Sequence, residues 1–325
     1  MDIVCLGELL VDMFPAELGR RLAEVSAFHP KPGGAPANVA VAAARLGARS
    51  AFVGKVGDEA FGRHLVDVLG QEGVDVRGVR FDEQARTTMA FIAMPDENTS
   101  EFVFYRNPGA DMLLRPEELD RGLLQQTRAF HFGSLSLIEE PIRSATMEAL
   151  SVARQAGALI SFDANYRPTL WDGPGEAYER IMAVVPHVDL LKVNEAELAL
   201  LGGSEDLETA SKLLDQGPEL CVVTLGPEGS FFRVSEGGER VPAFKVQTVD
   251  ATGCGDGFVA GLLCQLVLGG DWRDRLSPPH MREVLRYANA VGALTSMTQG
   301  VIPALPTAAG VDEFLSGHHP GGPKW

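Results

Sequence analysis

Residues 250–258 read Asp-Ala-Thr-Gly-Cys-Gly-Asp-Gly-Phe, and the interpretation of the whole chain starts from this stretch. An extended run precedes it at residues 244–249, and apolar residues recur at helical spacing after it. The pattern predicts a loop of small residues that leads into the N-terminus of a helix. The first N–H groups of a helix have no partners within the helix, and the dipole is positive there, so such an end binds phosphate oxygens. Asp256 lies in the same turn and has the chemistry of a general base.

The stretch alone also fits a simpler interpretation, in which it is a helix N-cap that follows a glycine-rich turn. Two familiar nucleotide-binding motifs are absent from it. Phe258 stands where the dinucleotide pattern G-x-G-x-x-G needs its third glycine, and the Walker pattern G-x-x-x-x-G-K-[ST] does not occur here. The missing dinucleotide pattern argues against a dehydrogenase.

Residues 250–256 resemble the second signature of the ribokinase-like (PfkB) carbohydrate kinases, D-[ST]-T-G-[AC]-G-D. The sequence departs from the family at Ala251, where Thr or Ser is usual, and at Gly257, where Ala or Thr is frequent. Neither change removes the aspartate or the glycines. The resemblance implies that Asp256 is the catalytic base. It also implies an anion hole formed by the backbone N–H groups of three residues, Gly253, Cys254 and Gly255.

A second informative stretch, residues 32–39, reads Pro-Gly-Gly-Ala-Pro-Ala-Asn-Val. The glycines predict a turn, Pro36 suits the first turn of a helix, and small apolar residues continue the helix to Gly47. Asn38 is the polar exception, and from its position alone it is a buried, hydrogen-bonded core residue or a cap. The stretch resembles the family signature G-G-x-x-x-N. The resemblance implies that the sugar is bound by three of its residues, Gly33, Gly34 and Asn38.

Two alternating runs, residues 87–94 and 101–106, have no helix between them and predict an antiparallel hairpin. Together with the segment around residues 12–30 they predict a small sheet separate from the main one. In the resembling family this sheet is a lid over the sugar and often a dimer contact, which gives lid segments around 12–30 and 86–106. Asp12 lies among apolar neighbours and is either a surface residue of an edge strand, which its position favours, or a ligand for a polar substrate, which the resemblance implies.

From residue 130 onward, short apolar strands alternate with helical stretches. The alternation predicts a mostly parallel sheet with helices on both faces, and therefore an α/β fold. We expect one ribokinase-like domain over residues 1–325, a length that can bury a large core. Ligands gather at the carboxyl ends of the strands in such sheets. Polar residues follow three successive strands, at residues 163–167, 192–197 and 224–229.

The resemblance gives these strand ends roles in binding ATP and Mg²⁺. Residues 194–197 resemble the motif N-x-x-E, so that Asn194 would contact the nucleotide and Glu197 would organise Mg²⁺ through water. Mg²⁺ prefers oxygen ligands and keeps several waters, which agrees with this role. The nucleotide loop T-x-G-x-x-G is matched by Thr224, Gly226 and Gly229, and Asn289 aligns with a residue beside the adenine. A K⁺ site is implied at four residues, Asp250, Thr252, Ser296 and Gly300.

Three segments resemble the bacterial and plant fructokinases of this family, at residues 105–114, 133–137 and 163–171. The rival within the family is 2-keto-3-deoxygluconate kinase, in which arginines near positions 106 and 167 hold a carboxylate. Arginine suits a carboxylate pair, but also sugar hydroxyls or phosphates. From position alone Arg106 is a solvated strand-end cation and Arg167 belongs to a loop salt bridge. With either sugar, the resemblance assigns Arg106 and Arg167 to the substrate site.

These features predict an ATP-dependent sugar kinase that converts fructose to fructose 6-phosphate. The alternatives are 2-keto-3-deoxygluconate kinase and a non-catalytic sugar- or nucleotide-sensing protein on the same scaffold. A sensor need not keep the base, so Asp256 favours the enzyme. The formal net charge of −16 argues against nucleic acid and anionic membranes as partners. The expected partners are the sugar, ATP and a second copy bound through the lid.

Several features predict a location in the cytoplasm. The N-terminus has no signal-peptide pattern, and no apolar run approaches the length of a membrane span. The four cysteines have no metal-site spacing and suit a reducing compartment. Residues 318–322 at the C-terminal end are expected to be disordered.

Overall fold

The structure is a computed structural model that describes residues 1–95 and 101–318. Within these ranges the chain forms thirteen strands and eleven α-helices. The strands are Ile3–Leu6 (β1), Leu10–Pro15 (β2), Phe28–Gly33 (β3), Ser50–Gly57 (β4), Asp75–Asp82 (β5), Met89–Ala93 (β6), Glu101–Tyr105 (β7), Ala129–Gly133 (β8), Leu159–Asp163 (β9), Leu190–Asn194 (β10), Leu220–Thr224 (β11), Ser230–Val234 (β12) and Gly237–Val241 (β13). The helices are Ala35–Arg45 (α1), Ala60–Gln71 (α2), Arg121–Gln125 (α3), Ile142–Gln155 (α4), Pro174–Val184 (α5), Glu195–Gly202 (α6), Ala210–Leu214 (α7), Cys254–Val267 (α8), Pro278–Ser296 (α9), Val301–Ala304 (α10) and Ala308–Gly317 (α11).

In the described part of the chain, nine strands form a large sheet in the order β13-β12-β11-β10-β9-β8-β1-β4-β5. Seven neighbouring strands of this sheet run parallel, namely β11, β10, β9, β8, β1, β4 and β5. Strands β12 and β13 continue the sheet in antiparallel pairs. This confirms the α/β fold with a mostly parallel sheet. Strands such as β1 are short, continuous apolar runs because both of their faces are buried.

The two faces of the large sheet carry separate hydrophobic cores. In β1, the side chains of Ile3 and Cys5 enter the core formed with α1, α8 and α9, whereas Val4 and Leu6 enter the core formed with α4, α5 and α6. The alternation follows from the two-residue period of a strand. Helices therefore cover both faces, and the carboxyl ends of the strands remain available for a site.

A second, four-stranded sheet has the order β3-β2-β6-β7 within the described residues. Strands β6 and β7 form the predicted antiparallel hairpin, and most of its connecting turn (residues 96–98) lies outside the described ranges. Strand β2 lies between β3 and β6, so the expectation of an edge strand for Asp12 is wrong. Alternating apolar residues indicate a strand but do not show which neighbours it pairs with.

Some predicted elements differ from the observed ones. The extended run 244–249 forms no regular strand. Glu59 caps α2 by accepting hydrogen bonds from the backbone of Phe61 and Gly62. A 3₁₀ turn, Leu207–Thr209, directly precedes α7. Of the tail expected to be disordered, His318 packs against Phe314, and residues 319–322 lie outside the described ranges. None of the described helices has both the length and the apolar character needed to cross a bilayer.

Helices α8 and α9 approach closely because glycines of α8 face α9. A Cβ atom added at Gly257 would lie 2.8 Å from Thr295 Oγ1, and one added at Gly261 would lie 3.1 Å from the Cα atom of Ala288. The second contact is with backbone, which cannot give way as a side chain can. This packing places α8, and with it the loop at residues 250–256, against the sheet.

We predict that Gly261→Leu lowers the free energy of unfolding by about 1–3 kcal/mol, because a large side chain overpacks the contact between α8 and α9. The measurement is urea unfolding followed by circular dichroism. The matched control is Gly70→Leu, at an exposed position of α2 where an added Cβ meets nothing within 4 Å. Equal stability of the two variants would contradict the packing argument.

Candidate active site

The loop at residues 250–256 leads directly into α8, as predicted. Gly253 is the N-cap of α8 and has φ 78°, and a Cβ atom there would lie 2.3 Å from Val301 Cγ1. Only glycine combines that backbone conformation with that close contact. Cys254 and Gly255 are the first residues of the helix, where backbone N–H groups lack partners within the helix. The three residues of the predicted anion hole therefore occupy one helix N-terminus.

Asp256 lies in the first turn of α8, and its Oδ2 accepts a hydrogen bond of 2.8 Å from Asn38 Nδ2. Burial raises the pKa of Asp256 to about 6, and Asp163 adds to the increase, whereas the bond from Asn38 and the charges of Arg167 and Lys192 lower it. The carboxylate is thus mostly ionised at neutral pH, yet its pKa is near that pH. This is the condition under which a general base works well.

The residues predicted to bind the sugar on the N-terminal side lie together. The carboxyl of Asp12 has a pKa raised to about 7, first by burial and then by the charges of Asp256 and Glu8. A Cβ atom at Gly33 would lie 2.0 Å from Asp12 Oδ2, and one at Gly34 would lie 2.3 Å from the carbonyl oxygen of Glu8. Gly33 thus makes room for the Asp12 carboxylate, and Gly34 makes room for the backbone that precedes β2.

Arg106 forms a buried ion pair with Asp111, so the expectation of a solvated strand-end cation is wrong. Its Nη2 lies 2.7 Å from Asp111 Oδ2 and donates to the carbonyl oxygen of Leu135 at 3.3 Å. The Thr88 hydroxyl also donates to Asp111. Arg106 is only 6% exposed. Its charge is therefore matched by a carboxylate of this chain.

Arg167 is exposed in the loop after β9 and donates a long bond of 3.5 Å to the carbonyl oxygen of Tyr166. Its charge lowers the pKa of both Asp12 and Asp256. The structure thus places Arg167 beside the two carboxylates. Of the two arginines expected at the substrate site, Arg106 is paired with Asp111, whereas the charge of Arg167 acts on Asp12 and Asp256.

The N-x-x-E segment forms a capping box at the start of α6. Asn194 Oδ1 accepts from the backbone N–H of Glu197 at 2.9 Å, and Glu197 accepts in return from the backbone N–H of Asn194 at 2.8 Å. The second oxygen of Glu197 accepts from the backbone N–H of Tyr166 at 2.8 Å. Each carboxylate oxygen keeps a further lone pair, so the segment fits a Mg²⁺ ion held through water.

Sequence reasoning missed Lys192, which lies at the centre of this edge. Its Nζ is 3.1 Å from Asp163 Oδ1, and both side chains are buried. Burial opposes the charged ammonium, but Asp163 and Glu197 raise the pKa of Lys192 above its ordinary value. The same Nζ lies 3.8 Å from the position of a Cβ added at Gly255. A lysine inside a buried strand, two residues before Asn194, was the signal that could have identified it.

A cleft of about 1080 Å³ extends from the anion hole along the ends of β10 and β11. Six residues predicted for the nucleotide or for K⁺ line it, namely Asn194, Thr224, Gly226, Gly229, Asn289 and Ser296. Cys254 and Gly255 close one end. The walls also include Phe244 and Val246, from the irregular segment where a strand was expected. Asn289 Nδ2 holds this segment by donating to the carbonyl oxygens of Val241 and Pro242, at 3.1 and 3.3 Å.

The four residues of the implied K⁺ site form one hydrogen-bonded unit. Asp250 accepts from the backbone N–H groups of Thr252 at 2.9 Å and Gly300 at 3.0 Å. The carbonyl oxygen of Ser296 accepts from the N–H groups of Val249 and Asp250. Because these two bonds use both lone pairs of that oxygen, a cation here would take its ligands from other groups of the unit.

A family of known proteins resembles this chain over most of its length. Residues 1–308 match the family described as pfkB family carbohydrate kinase. The chain belongs to this family. This confirms the resemblance inferred from residues 32–39 and 250–256.

Two curated relatives are plant proteins. The chain is 47% identical to the "Probable fructokinase-2" of Arabidopsis thaliana, over 96% of this chain and 95% of the relative. It is 45% identical to the "Fructokinase-1" of Zea mays, over 96% of this chain and 97% of the relative. The similarity therefore extends along almost the whole of both chains.

Solved structures resemble the fold equally broadly. A fructokinase from Xylella fastidiosa with bound ATP has a TM-score of 0.90 and 34% identity, over 98% of both chains. A double mutant of the fructokinase from Vibrio cholerae O395, bound to fructose, ADP and a potassium ion, has a TM-score of 0.86 and 33% identity, over 97% of this chain and 98% of that chain. The aminoimidazole riboside kinase from Salmonella enterica has a TM-score of 0.83 and 31% identity, over 98% of this chain and 100% of that chain. One fold thus accommodates different acceptor molecules, and specificity must be argued from the site.

Proposed function

We propose that this chain transfers the terminal phosphoryl group of ATP to the primary hydroxyl of fructose and so forms fructose 6-phosphate. The observation that carries the proposal is the place of Asp256. It stands at the N-terminus of α8, with the Asp12 and Asn38 side chains on one side and the cleft that ends at Cys254 and Gly255 on the other. An acceptor hydroxyl and a terminal phosphate can meet there.

In the proposed reaction, Asp256 takes the proton of the primary hydroxyl as that oxygen attacks the terminal phosphorus. The bond between this phosphorus and the bridging oxygen of ADP breaks, and the electron pair remains on ADP. The N–H groups of Gly253, Cys254 and Gly255 stabilise the charge that develops on the transferred group. The ammonium of Lys192 adds positive charge beside the same place.

Mg²⁺, when bound, neutralises charge on the ATP phosphates. Asn194 and Glu197 would hold it through water, and the remainder of ATP would lie along the cleft. Thr224, Gly226 and Gly229 would line its phosphates, with Asn289 near the base. On the acceptor side, Asp12, Gly33, Gly34 and Asn38 would hold the sugar, with Arg106 and Arg167 at its borders.

We predict that Asp256→Asn lowers kcat by at least about 10²–10⁴-fold, because the amide keeps the shape of the side chain but cannot take a proton. Fructose binding should survive, and calorimetry with a non-hydrolysable ATP analogue checks it. The matched control is Asp189→Asn, which changes a buried aspartate whose Oδ2 accepts from the backbone N–H of Ile160 outside the site. A near wild-type kcat in Asp256→Asn would refute the assignment of the base.

The choice of fructose over 2-keto-3-deoxygluconate is supported by the ion pair between Arg106 and Asp111. A pocket for the keto-acid must neutralise a carboxylate, whereas a fructose pocket has only to hydrogen-bond neutral hydroxyls. Because Arg106 is already ion-paired with Asp111, it has no unmatched charge for a substrate carboxylate. Asp12 and Glu8 add further carboxylates nearby, which disfavours an acidic substrate.

We predict a higher kcat/KM for fructose than for 2-keto-3-deoxygluconate, by up to roughly 10⁴-fold, since an acidic substrate would leave a buried charge without a partner. Glucose, ribose and adenosine should also be poor substrates. Fructose and the keto-acid are compared side by side in wild type, Arg106→Ala and Arg167→Ala. Arg77→Ala, which removes an exposed arginine of β5, serves as the control. A wild-type preference for the keto-acid that either site variant abolishes would support the alternative kinase instead.

A sensing protein on the same scaffold remains the candidate from another class. The proximity of Asp256, the anion hole and Lys192 argues against it, because binding alone does not need a base beside a phosphate site. The kinase assay of the Asp256 variants also tests this candidate, since a sensor would transfer no phosphoryl group to any sugar.

We also propose that a monovalent cation binds beside the anion hole, near Asp250, Thr252 and Gly300. The support is that Asp250 joins the loop of the anion hole to Gly300 through two backbone hydrogen bonds. A cation at this unit would reinforce the N–H array that faces the phosphates.

We predict that, with Mg²⁺ present, the rate is higher with K⁺ than with tetramethylammonium at equal ionic strength, because the larger ion cannot enter the unit. Without Mg²⁺ the activity should be lost. Initial rates in the two salts give the answer, and a sodium series controls for ionic strength. Identical rates with and without K⁺ would remove the cation site and leave the kinase proposal intact.

The remaining proposals concern the whole molecule. The small sheet would act as a lid on a single domain, and two copies would meet through the outer face of the lid. Val103 and Tyr105, which share one face of β7, support this contact because they expose 43% and 66% of their surfaces. A reducing compartment such as the cytoplasm suits the four free cysteines.

A further inference from the structure

Asn38 lies in α1, and the orientation of its side-chain amide is forced. Its Nδ2 donates to Asp256 Oδ2 at 2.8 Å, and a carboxylate can only accept, so the NH₂ end must face Asp256. The other end, Oδ1, is buried and has no hydrogen-bond donor among the described residues. The side chain as a whole is 4% exposed. One end of this amide is thus committed to the catalytic carboxylate.

The unpaired oxygen shows that helix stability does not explain why an asparagine stands at position 38. A buried acceptor without a donor destabilises the folded state, and its neighbours in α1 are small apolar residues that avoid this cost. The backbone N–H of Asn38 already bonds to the carbonyl oxygen of Gly34 at 2.8 Å, so the side chain is not needed as a cap. The contact that distinguishes asparagine from alanine here is the bond to Asp256.

We propose that Asn38 is a positioning residue, which holds the carboxylate of Asp256 in the orientation and the ionised form that accept the proton of the substrate. The inference rests on the proposed kinase function, and it adds a role to the sugar contact expected for Asn38. The hydrogen bond fixes one carboxylate oxygen and leaves Oδ1 of Asp256 to face the acceptor hydroxyl.

The groups around Asp256 show why a neutral donor is needed. Asp163 on β9 and Asp12 on β2 repel its charge, whereas Lys192 on β10 and Arg167 in the loop after β9 attract it. Cys254 in the same helix turn has its own pKa raised to about 12, first by burial and then by nearby carboxylates, and stays neutral. The contribution of α1 is the amide of Asn38, which favours the ionised form without adding charge. Its loss should raise the pKa of Asp256 above about 6.

The test is a direct titration of Asp256 by ¹³C NMR of its carboxyl carbon, in protein without sugar or ATP. Comparison with Asp256→Asn assigns the signal. In Asn38→Ala the pKa of Asp256 should rise by about one unit, since a hydrogen bond to a charged group is lost. In Asn38→Asp, which keeps the side-chain shape, the rise should be larger because two carboxylates in contact share one proton. The acid limb of kcat/KM for fructose should move to higher pH by the same amounts.

Ser50→Ala is the matched control, because it removes another buried, unpaired oxygen that lies outside the site. It should leave the titration of Asp256 unchanged. Should Asn38→Ala fail to unfold cooperatively, the Asn38→Asp result decides. An unshifted titration of Asp256 in folded variants, or an effect confined to KM for fructose, would overturn the inference. A wild-type protein that phosphorylates no sugar would refute the proposed function, but the titration would still report on the contact.

Discussion

The site depends on holding several carboxylates close together where little water reaches them. Glu8, Asp12 and Asp256 have pKa values raised to between about 6 and about 7, mainly by burial. Removing charged groups from water costs stability, and their mutual repulsion adds to that cost. The fold offsets it with donors from separate elements, which are the amide of Asn38, the ammonium of Lys192 and the backbone N–H groups of helix ends. Each of these elements is in turn fixed by the parallel sheet.

The sheet decides where those donors can be. Because β9, β10 and β11 run parallel, their carboxyl ends lie at one edge, where Asp163, Lys192 and Thr224 are near neighbours although far apart in sequence. Helix α8 lies against the same edge and supplies the proposed anion hole. The glycines that let α8 pack on α9 therefore support the chemistry indirectly, because they set the position of Gly253 relative to the strand ends.

Local patterns predicted much of this arrangement from the sequence. The loop at residues 250–256, the helix carrying Asn38 and the strand–helix alternation after residue 130 are patterns between near neighbours, and the structure contains all three. Sequence reasoning did not find the pairs Arg106–Asp111 and Lys192–Asp163, and it misjudged the environment of Arg106. Lys192 and Asp163 lie on different strands, and both ion pairs depend on burial that only the folded chain creates. Strand β5 was missed because charged residues and Gly78 interrupt its apolar pattern, although its pairing with β4 is enough to hold it.

Asp12 lies in the small sheet and Asp256 at the start of α8, and their charges repel each other. A closer approach of the small sheet to α8 would therefore increase this repulsion. Hydroxyl groups placed between the two carboxylates would relieve it, since each can donate a hydrogen bond to an ionised oxygen. Without an acceptor between them, the two carboxylates would therefore oppose a closer approach of the small sheet to α8.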